Sequence, residues 1–180
     1  MLVSTAAGTP AGKDIPGYGN GFALALGCFD GVHLGHAALF DALRSKAGDL
    51  VCAAWTFAPP KSGKNCPVKG NPLIVSYEEK LSLLNSVGIK YAFVYEFSEI
   101  SHLPPEQFVS DIRIGDCGCR FAVCGYNFTF GAKAAGNAEM LRSLLDKYSV
   151  FTEIVGEVTV GGGRVCSADI RAALLRGDMP

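Results

Sequence analysis

The amino-acid sequence predicts an α/β fold in which helices cover both faces of a parallel sheet. Short apolar runs alternate with stretches of helical periodicity along the 180 residues. The runs, such as Phe22–Leu26, are apolar throughout instead of alternating with polar residues, which is typical of strands buried on both faces. Such sheets bind ligands at the carboxyl ends of their strands, so the loops that follow the strands are the first place to search for a site.

Cap residues mark the boundaries of the predicted elements. Gly48 is expected to end a helix, and Asn137 and Ser167 are expected to cap two helix starts with their side chains. Met140 and Leu174 are expected on the buried faces of the helices that follow. The predicted strands are 22–26, 51–57, 90–97, 121–124 and one within 150–160, and the predicted helices are 36–46, 77–87 and those starting near 104, 137 and 167.

Length and charge narrow the class of protein. The chain suits one domain, and its net charge of -1 excludes a general electrostatic attraction to nucleic acid or to an anionic membrane. No apolar run approaches the roughly 20 residues that a membrane helix needs. Residues 1–20 are small, Gly-rich and unlike a signal peptide, so we interpret them as a flexible lead-in and residues 21–180 as the domain of a cytoplasmic protein.

The seven cysteines are expected to be free thiols in a reducing compartment. Their number is odd, and several lie in apolar runs that resemble buried strands. Cys117 and Cys119 form the one close pair, without a second pair or a nearby histidine to complete a zinc site. We therefore predict no structural metal.

Residues 27–36, called the histidine turn below, follow the first predicted strand. His36 falls at a helix start, where free N–H groups and the helix dipole favour an anion, and His33 lies three residues earlier, so both imidazoles can face one pocket. Two imidazoles there can donate hydrogen bonds to phosphate oxygens. The alternatives to phosphate binding are a metal site and a purely structural turn. The candidate catalytic residues are His33 and His36, and the candidate nucleotide-binding residues are Gly27, Phe29, Asp30, Gly31 and Gly35.

The histidine turn resembles the His-x-Gly-His signature of the nucleotidylyltransferase superfamily, which has a Rossmann-like fold. More narrowly, it is similar to the opening of the adenylyltransferase domain of bacterial FAD synthetase, and the resemblance extends from about residue 22 to residue 178. The resemblance implies that the chain transfers AMP from ATP to FMN, giving FAD and pyrophosphate. It implies ATP and FMN as small-molecule substrates, with Mg²⁺ bridging phosphate oxygens and no dedicated metal site in the protein.

Two further motifs support the narrower resemblance. Residues 123–131 are similar to the family's Gly-x-Asp-Phe-x-Phe-Gly or its Asn form, which implies flavin binding by Phe130 and by Asn127, the latter at the phosphate end of the flavin or at the nucleotide, with Phe57 covering the flavin ring. Residues 164–171 resemble Arg-x-Ser-Ser-Thr-x-Ile-Arg. That likeness implies that ATP phosphates bind Arg164, Ser167 and Arg171, of which Arg171 is also a candidate catalytic residue.

Departures from the family pattern leave other functions open. Cys166 and Ala168 replace a Ser and a Thr of the family, and the chain lacks the His that the family usually has after its Thr-Phe-x-Pro. The alternatives are a nucleotidyltransferase with another phosphorylated acceptor, and an inactive module that binds a nucleotide or a flavin. The family protein continues into a riboflavin kinase domain. We expect no such domain and no kinase activity in this chain, and the sequence does not predict an oligomeric state.

Overall fold

The computed structural model describes residues 2–5, 18–59, 73–114 and 118–178. Its strands are β1 (Leu2–Thr5), β2 (Phe22–Leu26), β3 (Val51–Phe57), β4 (Tyr91–Tyr95), β5 (Cys119–Gly125), β6 (Thr129–Phe130), β7 (Gly136–Asn137), β8 (Phe151–Val155), β9 (Thr159–Val160) and β10 (Gly163–Arg164). Its helices are α1 (Leu34–Lys46), α2 (Tyr77–Ser86), α3 (Phe97–Ile100), α4 (Pro105–Ile114), α5 (Ala138–Asp146) and α6 (Ser167–Arg176).

The central sheet is parallel and has the strand order β1-β4-β3-β2-β5-β8. Strand β2 lies between β3 and β5, where Leu24 is aligned with Ala53 on one side and Ala122 on the other. The chain runs from β2 outward to β3 and β4, and then returns to the other side of β2 to form β5. The strand order therefore reverses between β2 and β5, and ligands of such sheets bind at this position.

Alternate side chains of β2 enter two hydrophobic cores on opposite faces of the sheet. Leu24 and Leu26 pack in the core that includes residues of α4 and α5. Ala23 and Ala25 pack in the core that includes residues of α1 and α2. Every residue of β2 is buried, as its continuous apolar sequence predicts. The expected fold, a Rossmann-like parallel sheet with helices on both faces, is confirmed.

Most element boundaries agree with those expected from the sequence. Strands β2 and β3 have the predicted bounds, and α1 begins at Leu34 rather than at 36. Strand β4 is shorter than predicted and ends at Tyr95, because Glu96 turns the chain into the short helix α3. Asn137 caps α5 as predicted, and its side-chain oxygen accepts a hydrogen bond from the Met140 amide at 2.9 Å.

The sequence predicts a flexible lead-in over residues 1–20, but the structure has a strand at Leu2–Thr5. These residues form β1, which pairs in parallel with β4 so that Leu2 is aligned with Tyr91. The pairing covers the backbone groups on that edge of β4, which would otherwise be unpaired. Strand β1 has only four residues and no glycine or proline beside it to mark its ends, so the sequence offers little to identify it.

Three expectations about individual helix residues are wrong. Met140 is 37% exposed because the buried face of α5 follows Ala138, Leu141 and Leu144 instead. Leu174 is 42% exposed because the side of α6 that turns inward is the side of Arg171. Cys166 precedes α6 as its cap residue, without a side-chain capping hydrogen bond. Ser167 is therefore the first helical residue and not the cap.

Some predictions lie outside the described residues. They include most of the loop after β3, from 60 to 72, together with Cys66 and Cys117. None of the other five cysteines is in a disulfide within the described residues. Within the described ranges, no helix combines the length and the apolar character needed to cross a bilayer.

Candidate active site

The carboxyl ends of β2, β3 and β5 open into a cavity of about 910 Å³. The first turn of α1 borders the cavity, and so do the residues that precede α6. The cavity brings together residues that are far apart along the chain. The predicted site residues that line it are Gly27, Phe29, Asp30, His33, Gly35, His36, Phe57, Asn127, Phe130, Arg164, Ser167 and Arg171.

Gly31 is a predicted nucleotide-binding residue that does not line this cavity. Its φ is +84°, a conformation that residues with a side chain rarely adopt. A Cβ atom at this position would lie 3.1 Å from Cγ2 of Ile74. Gly31 therefore lets the histidine turn bend tightly against the segment that leads into α2.

The backbone of the histidine turn is strained at two residues with side chains. Phe29 has a φ of 53° and Val32 a φ of 37°. Conformations of this kind cost on the order of 1–3 kcal/mol and are concentrated at functional sites. The Phe29 ring is fully buried, and its centroid lies 4.9 Å from that of Phe40 and 5.2 Å from that of His36. This packing holds the turn in its strained shape.

The two imidazoles of the turn are stacked. Their ring centroids are 3.7 Å apart and the ring planes differ by 16°. His33 is also the cap residue of α1, because its Nδ1 accepts a hydrogen bond from the His36 amide at 3.4 Å. The cap leaves both rings beside the free amides at the start of the helix. The sequence predicts the shared orientation of the rings but not the capping role of His33.

Both histidines are poor bases in this environment. Burial lowers the pKa of His36 to about 3, and the neighbouring His33 contributes in the same direction. Burial also lowers the pKa of His33, against a smaller opposing effect of a backbone hydrogen bond and of Asp30. The imidazoles are therefore uncharged at neutral pH, and each has one N–H to donate. Within the described residues, the buried Nδ1 of His36 has no hydrogen-bond partner.

Asp30 joins the histidine turn to the segment before α2. Its carboxylate accepts hydrogen bonds from the amide of Ile74 at 3.0 and 3.1 Å and from the amide of Val75 at 3.4 Å. Asp30 is only 3% exposed. Its side chain thus orients the turn.

Arg171 and Ser167 join the histidine turn to α6. The Nη2 atom of Arg171 donates to Asp30 Oδ2 at 2.9 Å, and the hydroxyl of Ser167 donates to the backbone oxygen of Asp30 at 3.0 Å. The Arg171 side chain is buried at the border of the cavity, and its Nε has no partner in the described part of the chain. Phosphate binding by Arg171 stays a prediction, whereas its ion pair with Asp30 is a direct structural role.

Arg164 lies at the exposed side of the cavity. Its Nε and Nη2 both donate to Asp169 Oδ2 at 3.3 Å, and the thiol of Cys166 donates to the same oxygen at 2.9 Å. The hydrogen bonds from Cys166 and Arg164 lower the pKa of Asp169. The Arg164 guanidinium is free to exchange this exposed carboxylate for a phosphate, because surface ion pairs contribute little stability.

Gly35 permits the close approach of α1 to the chain that leads into α6. A Cβ atom here would lie 3.1 Å from Cε1 and Nδ1 of His33 and 3.5 Å from the backbone oxygen of Val165. The starts of the two helices are therefore neighbours. Free N–H groups and helix dipoles at such starts favour an anion.

Aromatic side chains form the wall on the side of α4. Phe130 is 5% exposed and belongs to the core, with its ring 4.9 Å from Phe108 and 5.9 Å from Phe128. Phe57 is half-buried and makes an edge contact with Trp55 at 5.2 Å. Phe130 therefore serves both as a core anchor and as part of the cavity wall. We call the five residues Trp55, Phe57, Phe108, Phe128 and Phe130 the aromatic wall.

Two lysines near the site were not identified from the sequence. Lys80 is 8% exposed, and its Nζ donates to the backbone oxygen of Phe57 at 2.6 Å and approaches Thr56 Oγ1 at 3.5 Å. Lys133 lines the cavity beyond the aromatic wall. A lysine after two glutamates in a helix resembles a solvent-facing residue, so Lys80 gives no signal. The position of Lys133 beside the Phe-x-Phe-Gly motif is the signal that was available.

The described residues contain no group of three or more His, Cys, Asp or Glu side chains that could hold a metal ion. Asp30 is the one carboxylate of the histidine turn, and the Ile74 amide and Arg171 already bind it. These residues do not fit a protein-held divalent cation.

Comparison with known proteins identifies relatives along most of the chain. A sequence model of a protein family described as FAD synthetase matches residues 16–169. The bifunctional riboflavin kinase/FMN adenylyltransferase of Bacillus subtilis is 33% identical over 162 residues, which cover 87% of this chain and 50% of the relative. The protein of the same description from Escherichia coli K12 is 28% identical over 157 residues, with coverage of 86% and 50%. The chain thus spans about half the length of the curated relatives it matches.

Solved structures show the same fold. The crystal structure of a macrolide-efflux protein from Streptococcus pneumoniae aligns with a TM-score of 0.75 and 25% identity, covering 97% of this chain and 56% of that one. Pantoate-beta-alanine ligase from Francisella tularensis aligns with a TM-score of 0.60 at 10% identity, covering 99% and 78%. The family match, the relatives and the geometry of the site agree, and the chain belongs to the FAD synthetase family.

Proposed function

We propose that this chain transfers the AMP part of ATP to the phosphate of FMN, releasing pyrophosphate and forming FAD. The observation that supports the proposal is one cavity that combines two sites. A stacked pair of neutral histidines lies between two helix starts, and an aromatic wall lies opposite. The histidines and helix starts suit a polyphosphate, and the aromatic wall suits a flat aromatic ring. The relatives named FMN adenylyltransferase support the same reaction.

The histidine turn is the proposed site of the ATP phosphates. An oxygen of the FMN phosphate attacks the α-phosphorus, a new P–O bond forms, and the bond to the β-phosphate oxygen breaks as pyrophosphate leaves. No protein nucleophile takes part, so the protein contributes position and charge stabilisation. His33 and His36 donate N–H groups to phosphate oxygens, and the amides at the start of α1 and Arg164 supply further donors.

The aromatic wall is the proposed site of the flavin ring. Phe57 and Phe130 form part of this wall, as the sequence motifs imply. Asn127 is exposed at the same cavity and can both donate and accept hydrogen bonds, which suits the polar chain between the flavin ring and its phosphate.

Mg²⁺ enters this proposal as part of the substrate. Since the described residues do not fit a protein-held ion, it would be bound by the phosphate oxygens of ATP. We also propose residues 21–180 as the catalytic domain, in the cytoplasm. The riboflavin kinase activity of the longer relatives is not part of the proposal.

A product assay tests the proposed function. The purified protein is incubated with ATP, FMN and Mg²⁺, and the nucleotides are separated by chromatography. Formation of FAD that is lost in His36→Ala supports the proposal. Lys147→Gln is the control, because Lys147 is exposed at the end of α5, four residues before β8 begins, and does not line the cavity. Turnover of ATP only with other phosphorylated acceptors, or binding without turnover, would refute it.

A further inference from the structure

The balance of charge around the cavity identifies a residue that the sequence motifs did not. Both histidines of the turn are uncharged at neutral pH because burial lowers the pKa of each. The Arg171 guanidinium is paired with Asp30, and the Arg164 guanidinium is paired with Asp169. The cations that line the cavity and were predicted from motifs are therefore already balanced by carboxylates. ATP and FMN together carry several negative charges, so their binding requires positive charge that these carboxylates do not already balance.

Lys133 is a cavity-lining cation that is not balanced in this way. It lines the cavity, is exposed, and has no carboxylate partner in the part of the chain that the structure describes. Its backbone is held in the left-handed conformation with φ 56° and ψ 26°, and Ala134 follows with a φ of 57°. Two consecutive residues of this kind are costly, and such strain is concentrated at ligand-binding segments.

Lys133 lies on the side of the aromatic wall, not on the side of α6. The segment 131–134 is attached to the chain before α4, since the Ala132 amide donates to the backbone oxygen of Leu103 at 2.7 Å. A Cβ atom at Gly131 would lie 3.0 Å from Pro105 Cγ, so the backbone of Gly131 packs closely against the start of α4. Phe130, two peptide bonds before Ala132, belongs to the wall itself. The described contacts of Arg171, in contrast, are with the histidine turn.

We propose that Lys133 binds the phosphate of the flavin substrate and holds it toward the histidine turn. The inference rests on the proposed function. A ring placed on the aromatic wall has its phosphate at the other end of a flexible chain. A lysine on the adjoining segment gives that phosphate a charged partner without a carboxylate to displace. Lys133 is then a determinant of specificity for the phosphorylated flavin over the unphosphorylated one.

Flavin binding without ATP tests this inference. FMN and riboflavin differ by the phosphate alone, and each is titrated into wild type, Lys133→Gln, Lys133→Arg and the control Lys147→Gln, with flavin fluorescence as the readout. We expect the Kd for FMN to rise about tenfold in Lys133→Gln, as for the loss of a hydrogen bond to a charged group. The Kd for riboflavin should not change, and Lys133→Arg should retain most of the affinity.

Steady-state kinetics give a second readout. The KM for FMN should rise by a similar factor in Lys133→Gln while the KM for ATP stays constant. Equal loss of FMN and riboflavin binding, a rise in the KM for ATP alone, or a wild type that does not prefer FMN to riboflavin would overturn the inference. The proposed function fails separately, if wild type binds FMN through Lys133 and still makes no FAD.

Discussion

The Nη2 atom of Arg171 lies 2.9 Å from Oδ2 of Asp30, and the two side chains are only 7% and 4% exposed. Asp30 belongs to the histidine turn and Arg171 to the second turn of α6. The same carboxylate accepts from the Ile74 amide, so one buried ion pair joins the histidine turn, α6 and the segment before α2. Nucleotide contacts by both residues stay a prediction, whereas their role in the framework of the cavity is shown by the structure.

Replacement of Asp30 by Asn should strongly destabilise the fold. The substitution leaves the Arg171 guanidinium buried without its counter-charge, and breaking such pairs costs about 3–5 kcal/mol. An Asn side chain can still accept from the Ile74 amide, so the loss reports mainly on the charge. The measurement is the free energy of unfolding in urea for Asp30→Asn, Arg171→Met and the double variant. The double variant should lose clearly less than the sum of the single losses, and strict additivity would contradict the coupling.

The pH dependence of stability should report on His36. Its pKa is about 3 in the folded protein and about 6.5 when unfolded, so the unfolded chain binds the extra proton between these values. Stability from this histidine is complete above pH 6.5 and is lost as the pH falls toward 3. The stability difference between wild type and His36→Gln should therefore decrease by about 2 kcal/mol from pH 6.5 to 4.5.

The measurement is urea unfolding of both proteins at matched ionic strength across that range. His33 shifts in the same direction but is present in both proteins, so the comparison isolates His36. A difference that stays constant with pH would show that His36 titrates normally and would remove the reason for treating it as a neutral donor.

The sequence predicts where the site lies because the site residues follow predicted strands. The apolar run of β2 and the histidines after it are adjacent in the chain, and the topology of parallel sheets then indicates which loops meet. The partner of Arg171 could not be predicted in this way, since Arg171 lies 141 positions after Asp30. Lys80 could not be predicted for a different reason. A buried lysine whose ammonium group donates to a backbone oxygen has the same sequence pattern as an exposed lysine. The cap at Cys166 instead of Ser167 is a one-residue error of the kind common at helix ends.

Substitution of Gly35 by Ala should impair catalysis more than stability. The added methyl group would lie 3.1 Å from the His33 ring and 3.5 Å from the Val165 oxygen, so the ring must move or the two helix starts must separate. A displacement of about 1 Å in such a site can reduce the rate by about a hundredfold. We expect kcat/KM to fall at least tenfold, with a change in Tm of only a few degrees.

Gly19→Ala is the matched control, since a Cβ at Gly19 meets no atom within 4 Å. Both variants are assayed for FAD formation and for thermal unfolding. If Gly35→Ala retains full activity, the close approach of the two helix starts has no role in the reaction.

Replacement of Lys80 by Met should weaken the binding of the flavin in particular. Lys80 Nζ holds the backbone oxygen of Phe57 at 2.6 Å, and Phe57 is part of the aromatic wall. The Thr56 hydroxyl, 3.5 Å from the same Nζ, donates to the Cys28 oxygen in the histidine turn. Loss of the ammonium group frees the end of β3 and leaves a partly buried carbonyl without this donor, which costs about 1–3 kcal/mol. The KM for FMN should therefore rise severalfold, more than the KM for ATP.

The control for loss of charge is Lys90→Met, because Lys90 is exposed and directly precedes β4, at the amino end of the strand and away from the cavity at the carboxyl ends. Lys80→Arg keeps the charge and a donor but not the compact shape of the ammonium group, so it should restore only part of the affinity. Steady-state kinetics with each substrate varied in turn separate the two KM values, and thermal unfolding measures the accompanying loss of stability. If Lys80→Met lowers Tm while both KM values stay at wild-type level, Lys80 supports the fold alone and does not position the wall proposed to bind the flavin.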